Sequence, residues 1–155
     1  MTMETMLALT SDFSNDSRRS EDIKTSLTRI REAGFSHVHW CHEWSSAYLY
    51  SVHEMLQIRE WCDEYGLAVK GIHASCGESD LKNYVSFNDY NRLAGIDLIK
   101  NRVDLAYTLN ARDIVLHLYL PCQRFEQEKN YRDDFYRVVL KSFNELEPYC
   151  KTRRI

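Results

Sequence analysis

Short apolar runs and longer periodic stretches take turns along the chain. Residues 6–11 (MLALTS), 37–42 (HVHWCH), 68–73 (AVKGIH) and 113–120 (DIVLHLYL) have the length and residue types of strands. Behind each lies a stretch whose apolar residues recur every three or four positions, which is one face of a helix. Ile23, Leu27 and Ile30 make the first stripe, Met55, Ile58, Cys62 and Tyr65 the second, Ile96, Ile99, Val103 and Ala106 the third, and Phe135, Val139, Phe143 and Leu146 the fourth. The stops fit. Gly34, Gly66 and Asn110 stand where a helix-ending residue must turn left-handed. Ser51 and Glu54 have capping-box spacing, and a helix opening near Ser20 would carry Glu21 and Asp22 in its positive-dipole first turn. A longer loop spans 74–88, and Pro121 ends the fourth strand.

Four βα units in succession, joined by short helix-to-strand turns, predict an α/β fold with a parallel sheet and helices packed on it. Such sheets are mainly doubly wound and open, or closed into eight-stranded barrels. No GxGxxG or P-loop follows the first strand, so a nucleotide-binding open sheet has no positive support, and both parallel architectures stay open on the pattern alone. The 155 residues, 44% hydrophobic and 28% charged, suit a single globular domain over 1–155. A net charge of -3 lacks the basic balance that binding a phosphate backbone requires, so nucleic acid is not an expected partner. The opening MTMETMLALTSDF has neither the flank of a signal peptide nor the length of a membrane span, and a cytoplasmic location is expected. Five cysteines without a CxxC pair read as reduced thiols filling space.

The candidate chemistry lies where both parallel architectures put it, at the carboxyl ends of the strands. Alternation puts Val69, Gly71 and His73 on one face of the third strand, and Val115, His117 and Tyr119 on one face of the fourth. His73 and His117 would then point into one central cavity, although a half-buried histidine bonded to a neighbour is the plain alternative for each. In the second strand His37, His39 and Glu43 share a face and His42 has the other, so the four cannot converge. A polar strand end accounts for them; His42 and Glu43 are the two offered as substrate contacts. Asp12 is either a turn residue or a polar group at the cavity mouth. Trp40, Trp44 and Tyr48 are either core or an apolar wall of the cavity. Cys41 and Cys76 have no basic motif beside them and read as inert.

The runs GFSHVHWCHEW, EYGLAVKGIHAS and LNARDIVLHLYLP, in that order and spacing, resemble the first half of the xylose isomerase-like TIM-barrel superfamily. That group contains sugar isomerases, sugar and sugar-phosphate epimerases, inosose dehydratases and type IV apurinic endonucleases. The resemblance implies the amino-terminal half of a barrel, since a complete one takes about 250 residues, and LEPYCKTRRI is similar to the segment that leads into a fifth strand. It implies a small-molecule sugar or sugar phosphate as partner and a divalent metal (Mn, Mg, Co or Zn) as cofactor. In the isomerase and epimerase branches the metal is held by two glutamates, an aspartate and a histidine from strands five to eight. In the endonuclease branch the counterparts of His73 and His117 bind zinc, which makes those two the metal candidates here. One departure stands out: the glutamate that often follows the second strand's valine is replaced by His39.

Three functions are consistent with this reading. The first is a metal-dependent sugar or sugar-phosphate isomerase or epimerase whose reaction centre is incomplete in this chain. The second is a non-catalytic half-barrel that forms a homo-oligomer or pairs with a second half through its open strand edges. The third is an apurinic endonuclease IV-like phosphodiesterase, against which the acidic balance counts.

Overall fold

A computed structural model describes residues 7–12, 22–75 and 83–155. Its elements are β1 (Ala8–Thr10), α1 (Ile23–Glu32), β2 (His37–Trp40), α2 (Val52–Glu64), β3 (Ala68–Ser75), α3 (Asp89–Thr108), β4 (Asp113–Leu116), α4 (Cys122–Gln127) and α5 (Tyr131–Arg153). The four strands lie in chain order β1-β2-β3-β4, and every pairing is parallel. This is the α/β arrangement of a partial TIM barrel, with strand following helix as the hydrophobic pattern predicts. Among the described residues no helix is long and apolar enough to cross a membrane.

Local chemistry explains most boundaries. The Ser51 hydroxyl accepts from the Glu54 amide while the Glu54 carboxylate accepts from the Ser51 amide, so the capping box is complete. Gly34 (φ +88°), Gly66 (φ +62°) and Asn110 (φ +56°) take the left-handed turns expected of them. Three expectations change. Asp22 is the N-cap of α1 and makes no side-chain cap hydrogen bond, and Ser20 and Glu21 lie outside the described residues. The fourth strand stops at Leu116, four residues early, because β4 has a partner along β3 only and nothing on its other side among the described residues. A short helix, α4, follows Pro121 where a polar loop was expected.

Strand register also corrects one face assignment. Val38 pairs with Val69, but His39 pairs with Gly71, which leaves Lys70 as an extra residue in β3. Val69 therefore packs with Val38 in the helix-facing core, and only beyond the bulge do Gly71 and His73 take the opposite face.

The main core lies between sheet and helices, where Val38, Trp40 and Ile72 meet Leu27, Ile30, Met55, Ile58 and Leu105. A second cluster of Tyr84, Ile96, Ile99, Val103 and Leu146 joins α3 to α5. Arg92, 2% exposed, reinforces that joint through Asp89 (2.8 Å) and Glu145 (2.9 Å).

Arg102 of α3 is 1% exposed and spends its donors on backbone. Its Nε donates to the Ala74 carbonyl (3.1 Å), and Nη2 donates to the carbonyls of Glu43 (3.0 Å) and Tyr48 (2.8 Å). Nη1 reaches Asn101 Oδ1 (3.0 Å), and Asn101 in turn exchanges two hydrogen bonds with the backbone of Tyr50. The segment 43–50, which has no regular structure, is thereby tied to α3 and to the end of β3. Replacing Arg102 by leucine takes a donor from three carbonyls, of which that of Glu43 keeps the Ser46 amide and hydroxyl, so the substitution is expected to lower stability by about 2 kcal/mol. Urea unfolding measures this; a loss within a few tenths of a kcal/mol would show that the segment is held by other contacts.

Candidate functional site

Three histidines stand in a row across the carboxyl ends of β2, β3 and β4. His39 Nε2 and His73 Nδ1 share a hydrogen bond of 2.9 Å, and His73 Nε2 and His117 Nε2 share one of 3.1 Å. His73 thus uses both ring nitrogens inside the protein. The His73 and His117 rings are stacked with centroids 5.1 Å apart, while His39 meets His73 edge-on at 5.0 Å. Room for His39 comes from Gly71, its register partner: a Cβ there would lie 3.3 Å from His39 Nδ1. Burial holds His39 and His73 below the usual histidine pKa, and the neighbouring imidazole lowers each further. At neutral pH both are therefore uncharged, each carrying one N–H and one lone pair.

The end of β1 is stitched to this row. The Ser11 amide donates to the His39 carbonyl (2.9 Å), and the Ser11 hydroxyl accepts from the Cys41 amide (2.8 Å). Cys41, 3% exposed, brings its sulfur to 3.3 Å from His73 Nδ1. Burial first, then the charge of Asp12 and a hydrogen bond to it, pushes the Cys41 thiol up to about 12. Asp12 lies in the turn that follows β1, as one of its two roles from sequence had it, and is also the polar neighbour of that thiol. One metal-ligand group occurs among the described residues: the ligand atoms of His39, Cys41 and His73 lie within 4.8 Å of one another.

The row is covered and supported from both sides. Trp44 packs over His73 and His117, with centroids 4.9 and 5.1 Å away, so it belongs to the site and not to the core. Its place in the 43–50 segment is the one Arg102 fixes. Beneath, the buried Tyr84 hydroxyl donates to the His117 carbonyl (2.6 Å). Tyr84 is itself held tightly against α3, where a Cβ on Gly95 would come within 2.3 Å of the Tyr84 nitrogen.

His73 and His117, then, do come together. His42 and Glu43 go elsewhere: with Tyr50, His53, Gln57 and Trp61 they line a separate cavity of about 630 Å³. The His42 ring packs on Trp40 (5.0 Å), and its buried Nε2 has no hydrogen-bond partner among the described residues. The Glu43 carboxylate accepts from the Ser46 hydroxyl (2.7 Å). His37 bonds Ser36 and stands at the other end of β2. Cys76 lies outside the described residues. Sequence reasoning left out His39 and Cys41. The available signal was that His39, like His73 and His117, stands near the carboxyl end of its strand, with a glycine in register opposite it.

Because the Cys41 thiol is buried and hard to ionise, it is expected to resist alkylation by iodoacetamide at pH 8 in the native protein, while the exposed Cys122 reacts. Peptide mapping after partial alkylation reads this directly, and equal labelling of the two would contradict the burial described.

Comparisons with known proteins agree with this architecture. The sequence profile of the family described as xylose isomerase-like TIM barrel matches residues 27–155. An uncharacterized protein of Sinorhizobium fredii, y4fM, is 32% identical over 151 residues, covering 87% of this chain and 48% of its own length. Among solved structures, a D-tagatose 3-epimerase-like protein is similar with a TM-score of 0.72 at 21% identity, over 97% of this chain and 51% of its own. The 3-keto-D-glucoside 4-epimerase of E. coli gives 0.67 at 16% identity, over 97% and 53%. A D-psicose 3-epimerase gives 0.62 at 21%, over 88% and 45%. At these identities the structures speak for the fold, and the chain spans about half the length of each of these proteins. Sequence match, parallel βα order and strand-end histidines together make this chain a member of the xylose isomerase-like TIM barrel family.

Proposed function

We propose that the chain supplies the amino-terminal half of a sugar or sugar-phosphate isomerase or epimerase barrel, in which His73 and His117 line the substrate mouth. The observation that carries this reading is the hydrogen-bonded row of imidazoles at the strand ends beneath Trp44. Neutral imidazoles can donate to or accept from sugar hydroxyls without fixing a charge in the cavity, and the indole offers an apolar face to a ring. Similar structures that bear the names of D-psicose and L-ribulose 3-epimerases favour a ketose as substrate class. A divalent metal, when bound in the complete barrel, would polarise adjacent carbonyl and hydroxyl oxygens and make the carbon-bound proton acidic. The carboxylates that would hold that metal and move that proton belong, by family resemblance, to strands beyond this chain. This chain's part is to bind and orient. His42 and Glu43 face a separate cavity and stand outside this reading.

The test is NMR-detected exchange of a ketohexose carbon-bound proton with solvent deuterium, using the full-length native product with added Mn or Co. Exchange is expected, slowed roughly ten- to a hundredfold by His73→Gln or His117→Gln and left within a few-fold by His42→Gln. No exchange with any ketose, or an unchanged rate in His117→Gln, would overturn the reading.

A second reading, a half-barrel whose role is to pair, is favoured by the groove beside β4. Its volume is about 550 Å³, and it is lined by Ile99, Ile114, Leu116, Phe143, Leu146 and Cys150. In this reading the isolated chain forms a homodimer, and Leu116→Glu returns it to monomer; sedimentation showing a monomer at all concentrations would dismiss self-pairing.

A further inference from the structure

We propose that His39 Nε2, Cys41 Sγ and His73 Nδ1 form a site for a thiophilic divalent metal of the zinc class, with His117 as the residue that positions His73. This site is built wholly from β2, β3 and the residue after β2, and it does not depend on the isomerase reading. It also differs in chemistry from a carboxylate-held metal in a complete barrel.

Three ligand atoms already face one another. His39 Nε2 is 2.9 Å and Cys41 Sγ 3.3 Å from His73 Nδ1, and all three atoms lie within 4.8 Å. A tetrahedral zinc with bonds of about 2.0–2.1 Å to nitrogen and about 2.3 Å to sulfur separates its ligand atoms by roughly 3.4–3.6 Å. The two shorter edges need open by about half an ångström, and the His39–Cys41 edge, at most 4.8 Å, must close by up to about 1.2 Å, both within reach of side-chain rotations. The donor set decides the ion: thiolate with imidazole favours zinc and disfavours magnesium or manganese, which take oxygen ligands. Two imidazoles and one thiolate leave a fourth position, the pattern of a reactive zinc site and not of a closed structural one.

Each ligand is oriented by a partner that does not compete for the metal. The Cys41 amide is anchored on the Ser11 hydroxyl, and the His39 carbonyl accepts from the Ser11 amide. His73 is clamped by Trp44 on its face and by His117 on its far nitrogen. With the metal on Nδ1, the His73 proton must sit on Nε2, which then donates to His117 Nε2; His117 is left with its own proton on Nδ1. Binding breaks the Cys41 S–H bond and forms a sulfur–metal bond. The proton passes to Asp12, already the hydrogen-bond acceptor of that thiol, and then to solvent, so one proton is released per ion.

Cobalt(II) is the probe, titrated into the chelator-stripped chain. A thiolate-to-cobalt charge-transfer band in the near ultraviolet is expected, lost in Cys41→Ser and His39→Gln and kept in Cys122→Ser. His117→Gln should keep the band and weaken binding roughly ten- to a hundredfold. No band in the unmutated chain, or a band that survives Cys41→Ser, overturns the site. Should Cys41→Ser fail to fold, X-ray absorption of the zinc-loaded, unmutated protein decides: a sulfur neighbour at about 2.3 Å supports the site, and a shell of nitrogen and oxygen alone overturns it. Sulfur-bound zinc in a barrel that exchanges no ketose proton would leave this site standing and remove the isomerase reading.

Discussion

A single buried guanidinium holds the irregular part of this molecule in place. Arg102 reaches from the middle of α3 through the core to the carbonyls of Glu43, Tyr48 and Ala74. Burial opposes its charge, and its pKa is lowered accordingly, yet its donors are matched to carbonyl oxygens and its plane lies over the Tyr50 ring at 4.8 Å. The segment it holds is otherwise without strand or helix hydrogen bonds, so its course is set by side-chain donors from α3. Trp44 rides on that segment, and through Trp44 the arginine shapes the cover over His73 and His117.

The histidine row follows from sheet geometry. His39 is in register with Gly71 and His73 with Val115, so each histidine stands beyond its neighbour's level, and the imidazoles reach diagonally between adjacent strands to share one hydrogen bond. The bulge at Lys70 is what brings β3 into phase: were alternation regular through Lys70, His73 would share the helix-facing side with Val69. Once the row is formed, burial keeps His39 and His73 neutral, and neutrality lets each of these two rings be donor on one side and acceptor on the other. The same row therefore has two uses open to it, contact with hydroxyls at the mouth and ligation of a soft metal on the β2 side.

The open side of β4 gives the second constraint. A buried parallel sheet expects neighbours on both edges, and here an apolar groove between β4 and α5 stands where another strand would add. The similar solved structures are about twice as long as this chain, and the groove is lined by Ile114, Leu116, Phe143 and Leu146 together with Arg112, Asp113 and Glu147.

The sequence by itself determined the βα order, the parallel sheet, the helix ends at Gly34, Gly66 and Asn110, and the places of His73 and His117 near their strand ends, because periodicity and capping are local properties that residue type controls, whereas the bulge in β3 decided that His73 turns to the side of His117. It also carried the family rhythm. Tertiary structure alone decided which other residues join the site. His39 and Cys41 enter it because the register of β2 against β3 contains a bulge, and no local pattern encodes a register between strands about thirty residues apart. Asp12 and Trp44 enter through contacts made by loops, whose courses depend on Ser11, Arg102 and the strands they cross. His42, adjacent to Cys41 in sequence, turns to a separate cavity because successive residues at a strand end face opposite sides, and packing on Trp40 fixed which side was its own.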